Sequence, residues 1–315
     1  MPTSLICLLS LFFYASTCWS FDLMPNFKQG MGAQVPEFDY SIDDETDHIA
    51  NSATIRVPLP AGAVFVKGTE VQVNNPPFLP YSQQIVPSEL WDLQVGGSYF
   101  HPLEGGKMFG ASLTLGSASD FPFWSLSETT FNVTASLLYP GDNPKSNYMV
   151  FLNESNNRPF LNYIPIPGFI WFYTPDPEDH LFLGLPFAGY SHRWNHALLD
   201  EPLNFSIFYL VPASLKVQFI QDLTSWLKVF TGLDFRQEMY LLRDRPTTAT
   251  RLFYDEKRVF LGTTIDFSKS IELDLSGGYA FARRWFEGEK YTDPLYENDE
   301  LAPSGYAAAA LTARF

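Results

Sequence analysis

The chain predicts an all-β fold: a transmembrane antiparallel up-and-down β-barrel of about 12 strands, within a range of about 10–14. Three observations carry that expectation. Apolar and polar residues alternate with period two over repeated segments of roughly ten residues. One such segment closes the chain, with Gly305, Ala307, Ala309, Leu311, Ala313 and Phe315 on one face and Tyr306, Ala308, Ala310, Thr312 and Arg314 on the other. Finally, 29 Phe and 16 Tyr among 315 residues need an apolar home, while charged residues are only 17%, below the ~25% of soluble domains.

The chain opens on a different signal. Leu5 to Ala15 is an almost unbroken apolar run, too short to span a bilayer as a helix, and Cys18-Trp19-Ser20 offers small residues for cleavage. Residues 1–20 are therefore expected to be a signal peptide for Sec export. Residues 21–47, with Pro25, Gly30, Gly32, Pro36 and the run Asp43-Asp44-Glu45-Thr46-Asp47, hold no period for long and predict a flexible acidic N-terminal arm or plug. Residues 48–315 are left for the barrel. Both cysteines, Cys7 and Cys18, fall in the leader, so disulfide scaffolds, thiol catalysis and zinc ribbons are not expected. A net charge of −15 argues against a nucleic-acid partner.

Strands follow in order. Two are expected near 49–58 and 62–73, then a Pro-rich connection from Asn74 to Pro87. Trp91, Leu93, Val95, Gly97 and Tyr99 alternate against Asp92, Gln94, Gly96 and Ser98; segments near 109–115 and 131–137 do the same. Shorter candidates lie near 147–153, 160–173, 181–190 and 204–220, the last interrupted by Pro212. The clearest block is C-terminal, near 227–238, 253–266 and 271–281. Working back from the end, connections alternate: Gly288–Pro303 is long and acidic, Phe267–Ser270 short, Arg243–Thr250 medium and Gln221–Ser225 short. That is the pattern of a barrel with short turns on the side of its C-terminus and longer loops on the other.

The terminal strand resembles the closing strand of bacterial outer-membrane barrels, whose assembly machinery reads a C-terminal Phe; Phe315 is assigned that role by the resemblance. Residues 164–286 also resemble a family of bacterial outer-membrane barrels that carries no assigned activity. The carrying residues are Pro165-Ile166-Pro167-Gly168-Phe169, Leu183-Gly184-Leu185-Pro186-Phe187, Arg251-Leu252-Phe253-Tyr254 and Gly277-Gly278-Tyr279-Ala280-Phe281-Ala282-Arg283-Arg284. The resemblance implies a Gram-negative outer-membrane location, with outer-membrane lipids, lipopolysaccharide and the barrel-assembly machinery as partners. It implies no cofactor and no catalytic residue, and nothing in the sequence specifies a subunit contact.

The main candidate constellation is charged. Asp234, Arg236, Glu238, Glu256, Arg258, Asp266, Glu272, Asp274, Arg284 and Arg314 lie opposite the apolar faces of four C-terminal strands, and in a barrel they would converge on one interior wall. Mixed signs at close range predict an ion-paired lumen or the lining of a water-filled path. The expected function is a pore or transport-type barrel for small solutes, with a structural or surface-interaction barrel of salt-bridged, filled lumen as the alternative. A barrel lipid hydrolase is the third reading, since Ser191, His192 and His196 form the one Ser/His-rich patch. Adjacent strand residues point to opposite faces, which separates Ser191 from His192. His192 and His196 would stand ~13 Å apart on a strand, so neither catalysis nor metal binding is expected there. The acidic clusters Asp43–Asp47 and Glu287–Glu300 lack the spaced ligands of a calcium loop and are expected as solvated surface.

Overall fold

A computed structural model describes residues 35–45, 47–159, 161–195, 201–210, 214–296 and 300–315. Expectations placed on the leader, on residues 21–34, and on His196, Pro212, Glu297 and Asp299 lie outside these residues. Among the described residues no helix is long and apolar enough to cross a membrane.

The first wall strands are β1 (Glu37–Glu45), β2 (His48–Leu59) and β3 (Gly62–Val73), followed by a small separate hairpin of β4 (Phe78–Leu79) and β5 (Gln84–Ile85). The wall continues through β6 (Glu89–Pro102), β7 (Met108–Ser119), β8 (Thr129–Pro140), β9 (Ser146–Ser155) and β10 (Ile166–Tyr173). Four short strands come next: β11 (Asp179–Leu185), β12 (Phe187–Trp194), β13 (Leu203–Leu210) and β14 (Ser214–Asp222). Then come β15 (Leu227–Tyr240), β16 (Arg251–Ser268) and β17 (Ile271–Lys290), the two-residue β18 (Asp293–Pro294), and β19 (Ser304–Arg314).

Each wall strand pairs antiparallel with its neighbours in chain order, and β1 closes the ring by pairing β19 from Glu37↔Arg314 to Glu45↔Tyr306. The ring holds 16 strands, with β18 hanging on β17 outside it. The expected count of about 12 is thus corrected upward. Three strands were not foreseen. Segments 181–190 and 204–220 each contain two strands rather than one, and β1 lies inside the stretch expected as an arm. The barrel therefore begins at Glu37, not at residue 48.

Period two sets the faces. On β16, Val259, Leu261 and Phe267 stand exposed outside while Glu256, Arg258 and Thr264 are buried inside. Ile55, Val66, Val95, Leu113 and Leu275 continue the exposed apolar band around the wall, the surface that hydrocarbon would otherwise have to find on a soluble partner. On the inner face several aromatic rings lie flat on glycines of the adjoining strand. A Cβ on Gly168 would sit 1.9 Å from the Phe151 ring, and one on Gly189 would sit 2.1 Å from Phe182. Only glycine lets those rings approach the wall so closely.

The two ends differ. One end carries turns at 60–61, 103–107, 141–145, 174–178, 223–226 and 269–270, together with Phe315; the other carries the longer connections 74–88, 120–128, 156–165, 241–250 and 291–303. Wall height is uneven. β16 and β17 run 18 and 20 residues, whereas β11 and β12 run 7 and 8 and are joined at the loop end by Pro186 alone.

Candidate functional site

The inner faces of β1, β2, β15, β16, β17 and β19 build a buried ionic layer towards the loop end. Arg258 is its centre, binding Asp43 and Glu45 through its two terminal nitrogens and Glu256 through Nε at 2.5 Å. Its guanidinium also lies 4.3 Å from the Tyr306 ring centroid. Arg283 reaches Glu45 at 2.8 Å and Asp47 at 2.8 Å, and its Nε donates to the Tyr254 hydroxyl at 3.2 Å. Tyr254 donates in turn to Glu256 at 3.0 Å, and His48 packs edge-on against Tyr254 at 5.1 Å. Arg236 joins the layer through Asp43 at 2.8 Å and Asp234 at 2.9 Å. The side chains of Arg258 and Arg283 are 1% and 0% exposed. A charge so removed from water persists only when ion-paired and hydrogen-bonded, which each of these is.

Nearer the turn end, the same wall is polar but partly exposed. Lys228 meets Asp266 at 2.9 Å; Arg314 contacts Glu37 at 3.3 Å and Glu272 at 3.9 Å; Thr312 donates to Asp39 at 2.6 Å; and Thr264 bonds Asp274. Side-chain exposures of 18–36% among Lys228, Asp266, Glu272 and Arg314, all close to the turn-end termini of their strands, mark this end of the interior as open to water.

Asp234, Arg236, Glu238, Glu256, Arg258, Asp266, Glu272, Asp274 and Arg314 fall on the inner face, with Glu238 held by the Tyr240 hydroxyl at 2.6 Å. Arg284 does not. A bulge at Ala282, where φ is +50°, shifts the β16–β17 register between Asp255 and Lys257 and reverses the alternation. Arg283 therefore turns inward, and Arg284 turns outward to Asp255 at 2.9 Å, over the Phe286 ring at 4.8 Å. Tyr291, in the loop beyond, donates to Asp255 at 2.9 Å. Burial, reinforced by that carboxylate, pushes the Tyr291 phenol up to about 12. The ionic layer also draws on residues expected as solvated arm: Asp43, Glu45 and Asp47. The missed signal was local, since Phe38, Tyr40 and Ile42 alternate against Asp39, Ser41, Asp43 and Glu45.

Above the ionic layer the mouth is crossed by a strap. β7 and β15 stand on opposite sides of the ring, eight strands apart, yet the Leu241 N–H donates to the Ala118 carbonyl at 2.7 Å. The Arg243 N–H donates to Asp120 at 2.9 Å, and its guanidinium lies 5.0 Å and 4.9 Å from the ring centroids of Phe121 and Trp124. Arg245 binds Glu128 at 3.2 Å and the Ser127 carbonyl at 2.8 Å. Beside the strap the β4–β5 hairpin folds inward. Leu79 and Val86 pack with Val71, Val73, Leu90, Tyr240, Leu252 and Trp285 into an apolar lid. Burial acts to raise the Glu128 carboxyl, but hydrogen bonds from Ser125 and Ser127 and the charge of Arg245 outweigh it and hold it below its usual range.

The opposite arc of the inner wall, β8 to β13, carries an apolar cluster beside buried polar residues such as Thr134, Asn153, His180 and Ser191. Leu138, Met149, Phe151, Ile170, Phe172, Phe182, Phe187 and Leu210 form one buried cluster, with Met108 and Phe208 at its margin. Ser191 is on the inner face. His192 is on the outer, where its Nδ1 meets Asp179 at 2.7 Å beside the Tyr190 hydroxyl, 2.6 Å from the same carboxylate. The strand separates Ser191 from His192, so they do not make a nucleophile–base pair. Among the described residues no group of three or more His, Cys, Asp or Glu could hold a metal ion.

A closed antiparallel ring of even strand number, apolar outside and polar over much of its interior, with short turns at one end and long loops at the other, is an outer-membrane-type β-barrel. Comparison with solved structures finds barrels of that class at low similarity. A KdgM porin aligns at 7% identity over 89% of this chain and 99% of its own, with a TM-score of 0.33. CdiB from Acinetobacter baumannii aligns at 12% identity over 90% and 60%, with a TM-score of 0.47. The toluene transporter TodX of Pseudomonas putida aligns at 10% identity over 96% and 95%, with a TM-score of 0.38. No family model matches the chain, and no curated protein does.

Proposed function

We propose that this barrel is a transport-type protein of the bacterial outer membrane that passes small solutes and is closed at its loop end. The observation that carries the reading is the contrast in wetness along one wall. Lys228, Asp266, Glu272 and Arg314 are partly exposed, while Arg258, Arg283, Glu45 and Glu256 above them are dry. A barrel needing only a filled interior has no use for hydrated charges below a dry seal. The strap is the removable part, because it joins opposite walls through loop residues rather than through the sheet. Outer-membrane lipids and lipopolysaccharide are the surroundings that its apolar band and acidic loops suit, and Phe315 suits recognition by the assembly machinery.

Conductance in planar bilayers tests this. The native protein is expected to open rarely, and Arg245→Ala, with the strap unpinned from Glu128, to give stable ion steps more often by about tenfold. The competing reading is a structural barrel with a salt-bridged lumen, favoured by the burial of Arg258 and Arg283. It predicts silence from both proteins, even after residues 241–250 are replaced by a short glycine linker.

A further inference from the structure

The apolar arc belongs to the shortest part of the wall. At ~3.3 Å per residue and a tilt of about 45°, seven- and eight-residue strands rise only about 16–19 Å, against an apolar band of ~25 Å. β11 and β12 have those lengths. β16 and β17, at 18 and 20 residues, rise about 42–47 Å by the same arithmetic. A bilayer meeting so short a segment must thin locally or lay its acyl chains over the edge.

At this edge both faces are apolar. Leu183, Leu185 and Tyr209 are exposed outside; Phe182, Phe187 and Leu210 are buried directly behind them. At the β11–β12 rim Pro186 alone makes the connection. On the far wall, β15 to β17, an acyl chain crossing inward would meet charged side chains such as Arg236, Arg258 or Asp274.

We infer that the β11–β13 edge is a lateral portal through which the acyl chain of an outer-leaflet lipid enters the barrel interior, guided by Phe182, Phe187, Phe208 and Leu210. The inference deepens the transport reading by naming a solute class, a long-chain amphiphile, and a route. In the present arrangement the aromatic side chains fill the portal themselves, Phe187 being 3% exposed. Chain entry therefore requires these rings to move, Phe182 by swinging off its seat on Gly189.

Photocrosslinking of the full chain in dioleoylphosphatidylcholine vesicles carrying tritiated dioleoylphosphatidylcholine tests the portal. p-Benzoylphenylalanine is placed at Phe187 or Phe208 on the inner face of the short arc. It is also placed at Leu183 outside, and at Phe260 on the inner face of the charged wall. Labelling at 183, 187 and 208 at least fivefold above 260 is expected. Labelling at 183 alone, or equal labelling at 260, overturns the portal. Heat-modifiable migration certifies folding of each variant, and Phe182 substituted in the same way reads the same face should position 187 not tolerate the change. Silence in planar bilayers with lipid still labelled at 187 would sink the solute pore and leave the portal standing; the reverse result would do the opposite.

Discussion

Arg258 concentrates the charge problem of the interior in one side chain. It contacts Asp43, Glu45 and Glu256 and is itself sealed from water. Truncating one partner of a buried ionic cluster strands the others, which costs about 3–5 kcal/mol. Arg258→Ala is therefore expected to lower unfolding stability by that amount, measured by urea titration of heat-modifiable migration. A cycle with Glu45→Gln should be markedly less than additive, because the carboxylate that suffers has been removed. Gly168 poses a steric problem instead. Gly168→Ala drives a methyl into the Phe151 ring, and overpacking of this kind costs about 1–3 kcal/mol. Phe151→Leu in the same chain should recover most of it.

Two elements act as fastenings. The strap 241–250 is held to the far wall by Arg245 on Glu128, and its grip depends on pH. The folded Glu128 carboxyl lies below its ordinary value, which is about 4.3 when unfolded. Its contribution is complete above that unfolded value and is lost as pH falls through the folded one. Openings in planar bilayers should therefore become more frequent on acidification below about pH 4. Glu128→Gln should open at neutral pH and lose most of that acid response; an unchanged response would assign it to another group. The other fastening is the β1–β19 seam, extended by the Phe315 N–H donating to the Pro36 carbonyl at 2.9 Å. Phe315 deletion is expected to reduce the assembled fraction in cell envelopes, read by heat-modifiable migration, and normal assembly would remove its signalling role.

At the scale of the whole barrel, the outward placement of the apolar rows is testable through Leu261, which is 66% exposed. Leu261→Arg should cost about 2–4 kcal/mol near the bilayer midplane, and a negligible effect would place lipid elsewhere. The sequence is legible where the two wall faces differ chemically. β15, β16 and β17 up to the bulge at Ala282 alternate because their outer face is apolar and their inner face carries charge. It is poorly legible from β10 to β12, where Trp171 and Phe172, or Leu181 and Phe182, are apolar on both faces. Segments 181–190 and 204–220 each read as one strand because the connections within them, Pro186 and residues 211–213, are short, and the count falls below 16. β1 was hidden for the opposite reason: Asp43, Glu45 and Asp47 suggest solvent unless their partners Arg236, Arg258 and Arg283, about two hundred residues away, are known to converge on them. Arg284 was misplaced by one bulge, which no periodicity can foresee because it resets the phase.

That the earliest wall ribbon zips onto the last has a kinetic corollary. Until residue 304 and its successors arrive, β1 and β17 are raw borders with unpaired amides and carbonyls, and no local hairpin can satisfy both. Contacts spanning nearly the entire polypeptide must form last and slowly. The half-made cylinder is therefore the species most prone to capture a neighbour edge to edge. Chains ending before residue 304 should accumulate as insoluble, protease-sensitive material rather than as smaller barrels.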